Sequence, residues 1–171
     1  DALKAYLDTV EPVENEVRQH DLIFPFGFRP FIYAWRIVNF DSGERVADPD
    51  RSEQWNRGAY LVNHLGHCGA CHTPKDFVYN FLDFMFLGGS DQIPGPLPAP
   101  NISPDPATGI GDWSHDDVTR ALKRAIRPDG TPIRGSMAEY VATGSSHLND
   151  EDLDAMAVYL RTVEPQDRSV E

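Results

Sequence analysis

The chain is predicted to be all-α with long loops. Three features lead there. Apolar residues recur at i, i+3, i+4 and i+7 in several segments. No run alternates apolar and polar residues as a half-buried strand would. The stretches between the periodic segments are dense in Pro, Gly and Asp, which punctuate helices.

Residues 1–10 open the chain as a helix, with Leu3, Tyr6, Leu7 and Val10 on one face and Pro12 as the stop. This segment has a near copy at the other end. Residues 5–12 match residues 158–165 at six of eight positions, sharing Tyr-Leu-x-Thr-Val-Glu-Pro. Such a repeat reads residues 1–12 as the last helix of a preceding, similar module. Residues 13–49 follow as a connector. Its stretch 22–40 is rich in Phe, Tyr and Trp, is broken early by Pro25, Gly27 and Pro30, and has a short helix over 31–38. Packing on the core is its expected role, with an exposed partner surface as the alternative. Asp41–Pro49 reads as a loop.

The main domain is expected over 50–165. A helix over 51–65 is capped by Asp50 with Glu53 reaching back, and buries Trp55, Ala59 and Val62. Gly58 lowers its helix propensity by ~1 kcal/mol relative to Ala. That makes sense where another helix crosses closely, and the final helix, through Tyr159 or Leu160, is the expected partner. Phe77–Leu87 is an aromatic stretch expected to line a pocket. A loop with Pro94, Pro96, Pro98, Pro100, Pro104 and Pro106 follows, stiff and without regular structure. Ser114 with Asp117 forms a capping box ahead of a helix burying Val118, Ala121, Leu122 and Ala125. Pro128-Asp129-Gly130 is a turn. Asn149 caps the last helix, with Asp150, Glu151 and Asp152 at its positive end, and Leu153, Met156, Ala157 and Leu160 facing the core.

Between the first two helices of that domain stands Cys68-Gly69-Ala70-Cys71-His72. C-x-x-C-H is the attachment signature of c-type haem. Two thiols at this spacing add to the two vinyl groups of one porphyrin, and the following His is held under the iron as an axial ligand. The chain has 2 cysteines, both in this motif, so none is left for a structural disulfide. A redox dithiol needs no following His. A zinc site would need His64 and His67 to join the two thiolates. One covalent haem c is the expected cofactor. His72 is expected to donate its other ring nitrogen to a backbone carbonyl, with Pro74 as a candidate.

The sixth ligand is open between several residues. Methionine raises the potential and suits electron transfer. Met156 lies on a helix stripe and reads as core. Met85 follows His72 too closely for an easy path around the ring. Met137, in a loop between helices, has room to wrap the group and is favoured. His147 and His115 are rivals, and His64 and His67 precede the motif on its proximal side. An open sixth position would instead make a ligand sensor or redox enzyme.

The chain of 171 residues has a formal net charge of −12 and a pI near 4.8. Phosphate backbones would repel such a surface, which excludes nucleic acid, while a basic partner patch would attract it. No apolar run approaches the ~20 residues that span a bilayer, so membrane association is expected only through partners or missing segments. The chain begins at Asp1 with no visible signal peptide and is expected to be a mature or trimmed product.

Trp55–Val62, Leu65–Pro74, Ala99–Asp105, Gly109–Ser114 and Met137–Val141 together resemble the cytochrome c subunits of bacterial membrane-bound alcohol, gluconate and sorbitol dehydrogenases, which carry class I-type cytochrome modules in tandem. The resemblance implies a class I-like fold and a periplasmic one-electron carrier rather than an enzyme. Electrons would pass from a dehydrogenase towards quinone or a terminal oxidase. It also implies Met137 as distal ligand and places Asn101 and Trp113 near the haem propionates. The chain departs from that family in having a single C-x-x-C-H. A helix 1–12 left without its own module would seek a neighbouring copy and form a swapped dimer.

Overall fold

The computed structural model describes residues 2–40, 43, 45–93 and 95–170. Asp41, Ser42 and Glu44 of the expected loop, and Pro94 of the proline-rich segment, lie outside them. Among the described residues there are seven α-helices and no strand beyond isolated bridges. None is long and apolar enough to cross a membrane. The coordinates divide into two compact units, residues 1–43 and 44–171.

The first unit holds α1 (Ala2–Leu7) and α2 (Arg29–Asn39). α1 is shorter than its apolar periodicity suggests, closing in a turn that leaves Val10 outside the helix. α2 begins earlier than expected because Pro30 sits in its first turn, where a missing N–H costs nothing. The aromatic residues of this unit are not a packed core. Phe24 is 90% exposed, and neither helix has a buried residue.

The second unit is built on the crossing of α3 (Glu53–Tyr60) and α7 (Asp150–Leu160). Ser52, not Asp50, caps α3, its hydroxyl accepting from Trp55 N at 3.1 Å. The helix gives way to a single π-helical turn, Leu61–Leu65. At the crossing, a Cβ on Gly58 would lie 1.9 Å from the Ala155 carbonyl oxygen and 3.0 Å from Tyr159 Cβ. Only the missing side chain lets the two backbones meet. Around that point Trp55 stacks edge-on to Tyr159 at 5.1 Å and donates to Thr162 Oγ1 at 2.7 Å. Asn63 donates to the Tyr159 hydroxyl at 2.9 Å, and Arg57 pairs with both carboxylate oxygens of Asp152.

α5 (His115–Arg124) has the expected capping box and buries Val118, Ala121 and Leu122. Ala125 is its left-handed C-cap and is only half-buried, so the expected stripe ends one residue early. α6 (Ser136–Thr143) follows a turn at Arg127–Gly130, closed by the Gly130 N–H to Arg127 O at 3.0 Å. Asn149 caps α7 as expected, accepting from Asp152 N at 2.7 Å. Leu61, Val62, Leu122, Leu153, Met156 and Leu160 form the centre of the core.

The chain after α7 is stapled back onto the second unit. Gln166 N donates to Ser103 Oγ at 2.9 Å, and Arg168 N to Thr108 Oγ1 at 3.1 Å. The Arg168 guanidinium also bonds the Gly89 carbonyl.

Candidate functional site

Cys68–His72 folds as one short helix, α4, directly after the π-helical turn. Two residues re-aim the chain there. Gly66 closes the turn through its N–H to Leu61 O at 2.6 Å. His67 then adopts a left-handed conformation, φ 50°, which L-residues with a Cβ rarely take. That local strain starts α4 in a new direction at the residue before the first thiol, and such strain gathers at functional sites.

Within α4 the two thiols stand three residues apart, hence on one face, and both are free. Burial pushes the Cys68 thiol up to about 11, so this sulfur is a neutral S–H at neutral pH. His72 is buried, and its Nδ1 lies 2.8 Å from the Pro100 carbonyl oxygen. A carbonyl only accepts, so Nδ1 carries the proton and the Nε2 lone pair is left for a metal. Burial holds the imidazole below its usual pKa, against the opposing pull of the Pro100 hydrogen bond. It therefore stays neutral, as a ligand must.

The carbonyl is Pro100's and not Pro74's. Pro74 O already accepts from Leu82 N at 2.9 Å. Pro100 stands within the proline-rich loop, directly after the paired bonds between Ser90 and Ala99 at 2.8 Å.

The residues fit covalently attached haem c better than the alternatives. Thiols and imidazole come from one helical turn, and the imidazole is oriented, neutral and buried. Among the described residues no three His, Cys, Asp or Glu side chains gather as a cation site. That removes the zinc arrangement in which His64 and His67 join the thiolates: both are exposed, and His64 lies against Tyr60 at 5.8 Å.

The distal candidates stand in different surroundings. Met156 is 1% exposed and belongs to the core. Met85 is half-buried in a 3-10 turn, Asp83–Met85. Met137 is in the first turn of α6, not in a loop, and packs against the core edge. His115 pairs with Asp154 at 3.0 Å, and His147 is exposed.

Asn101 is 4% exposed. Its amide donates to Thr108 Oγ1 at 2.9 Å and Gln166 O at 2.6 Å, while its oxygen accepts from Ser103 N at 2.9 Å. Those bonds fasten the loop to the C-terminal tail. Trp113 is half-buried at the core edge, and its carbonyl accepts from Arg161. As expected, part of the stretch 77–87 lines a cavity: Phe81, Asp83 and Phe86 face it together with Gly69, Ala70 and Thr73. Phe77 is 92% and Phe84 74% exposed, whereas Phe86 and Leu87 turn inwards.

Sequence reasoning missed Pro100 and Tyr140. The Tyr140 hydroxyl lies 2.9 Å from where a Cβ on Gly66 would stand, and Cys68 Sγ lies 3.4 Å from the same point. Nothing in the spacing of the sequence signals either.

No family model matches the chain. It is similar to several curated proteins over nearly its whole length, among them the following three. The fructose dehydrogenase cytochrome subunit of Gluconobacter japonicus is 38% identical over 164 residues, 95% of this chain and 33% of that protein. The cytochrome c subunit of the quinone alcohol dehydrogenase of Komagataeibacter europaeus is 36% identical over 171 residues, 96% of this chain and 36% of that protein. A diheme cytochrome c-type protein of Cereibacter sphaeroides is 36% identical over 161 residues, 94% of this chain and 52% of that protein. The chain thus spans about a third to a half of the relatives it matches.

Proposed function

We propose that this chain, similar over nearly its whole length to cytochrome c subunits of dehydrogenases, is a one-electron carrier with a single covalent haem c. Cys68 and Cys71 supply the two thioether tethers, His72 the proximal nitrogen and Met137 the distal sulfur. The bound haem supplies the redox chemistry, its iron cycling between ferric and ferrous. The protein's part is to hold and tune it. Pro100 O fixes the His72 ring and its tautomer. The burial of His72 keeps water from the proximal side. Asn101, through the loop it fastens, and Trp113 would lie on the propionate side.

The observation that carries this reading is the single helical turn that presents both thiols beside a buried imidazole already tied at Nδ1. c-type attachment in bacteria takes place outside the cytoplasm, so the protein works in the periplasm. Its donor is a dehydrogenase, and its acceptor quinone or a terminal oxidase.

Residues 1–12 are the closing helix of a similar module and 13–49 its connector. Support comes from burial. Tyr6 and Leu7 are 66% and 57% exposed, whereas their counterparts Tyr159 and Leu160 are 8% and 4% exposed against α3.

The test is the mass of the denatured protein and its visible spectrum. One added haem, low-spin bands and a weak far-red methionine–iron band are expected. A colourless protein with the mass of the bare polypeptide overturns the reading. A high-spin ferric spectrum that responds to carbon monoxide after reduction moves it to an open sixth site.

A further inference from the structure

We propose that Tyr140 is a positioning residue: its phenol, seated over Gly66 beside Cys68, holds α6 so that Met137 reaches the distal side of the haem. This rests on the haem reading above and adds the device that sets the distal ligand.

α6 has little of its own to fix its orientation. It is eight residues long, opens on Gly135 and has no side-chain cap at its N-terminus, so packing must hold it. Val141, 3% exposed, buries into the core on one side. Towards the attachment motif the contact is Tyr140. Its hydroxyl lies 2.9 Å from where a Gly66 Cβ would stand, a point also crowded by Leu61 O at 2.8 Å and Cys68 Sγ at 3.4 Å. Gly66 therefore works as a notch that only a residue without a side chain leaves open.

The other end of α6 has a second seat. A Cβ on Gly135 would lie 3.3 Å from Leu97 of the proline-rich loop, whose Pro100 carbonyl holds His72. Met137 lies between these seats. It is three residues before Tyr140 and so on the same helix face. Both axial ligands are thus referred to one frame: His72 through Pro100, and Met137 through Tyr140 on the turn that leads into Cys68.

The experiment compares the holoprotein with Tyr140→Ala and Tyr140→Phe. All are measured for haem retained in denaturant, for the far-red methionine–iron band, for reduction potential and for binding of imidazole to the ferric form. In Tyr140→Ala the haem stays attached, the far-red band weakens and the potential falls. Imidazole binds on the order of tenfold more tightly, because the methionine-off population has grown. Tyr140→Phe keeps the ring and loses only the hydroxyl at the notch, so its band and potential fall between those of Tyr140→Ala and wild type. An unchanged band and unchanged imidazole affinity in Tyr140→Ala overturn the proposal while leaving the haem reading intact. A wild-type protein with attached haem but no far-red band overturns Met137 ligation, and the proposal with it.

Discussion

At the scale of single residues, the attachment motif was legible because its chemistry is local. Cys68, Cys71 and His72 are neighbours in sequence and stay so in one turn of α4. What orients His72 was not legible, because its carbonyl partner comes from 28 residues away at Pro100. Cys68→Ala is expected to leave one thioether, so that haem is lost more readily in denaturant; haem staining after denaturing electrophoresis checks this. Met137→Ala is expected to lower the midpoint potential or recruit a new ligand, since thioether sulfur favours ferrous iron; a spectroelectrochemical titration reads the change. Gly58 is the strictest structural position. A methyl there would stand 1.9 Å from the Ala155 carbonyl, and backbone cannot swing aside as a side chain can. Gly58→Ala should therefore destabilise the fold by about 3 kcal/mol, the upper end of overpacking costs, as measured by urea unfolding.

At the scale of elements, caps and crossings decide stability. The α5 capping box is reciprocal, Ser114 Oγ accepting from Asp117 N at 3.1 Å and the Asp117 carboxylate accepting from Ser114 N at 3.0 Å. The α3–α7 crossing adds the Arg57–Asp152 pair, at 2.6 Å and 2.9 Å. Its Arg57 hydrogen bond holds the Asp152 carboxyl below the usual 3.8. A depressed carboxyl stabilises the fold fully above its unfolded value and loses that contribution as pH falls through the lower folded value. Asp152→Asn is thus expected to cost about 1 kcal/mol at neutral pH, a figure set by the exposure of Arg57. The difference from wild type should vanish as pH drops well below 3.8; urea midpoints along a pH series measure it. The α5 capping box, the Asn149 cap and the Gly58 crossing could be read from sequence, since each leaves a short-range mark, whereas the α3 cap is Ser52 and not the expected Asp50. The π-helical turn at Leu61–Leu65 could not: its residues suit an α-helix equally, and the wider turn follows from where Gly66 and His67 must send the chain.

At the scale of the whole molecule, the net charge of −12 predicts how partners are met. If the donor presents a basic surface, the association rate should fall steeply with ionic strength, since screening at 0.15 M acts within about 8 Å; stopped-flow reduction over a salt series checks it. The exposed face of residues 1–12 predicts self-association. The full chain is expected to run as a dimer in sizing chromatography and as a monomer once residues 1–12 are removed; a full chain that runs as a monomer contradicts the swapped arrangement. The sequence by itself determined the all-α class, the covalent motif, the caps of α5 and α7, and the close approach at Gly58. Each is written in residue types within a turn or two of one another, or in a side chain too small for anything but a crossing. Only the tertiary structure decided which carbonyl holds His72 and which hydroxyl sits against Gly66. Those depend on which distant segments meet, and contacts between segments tens of residues apart leave no periodicity for a sequence to display.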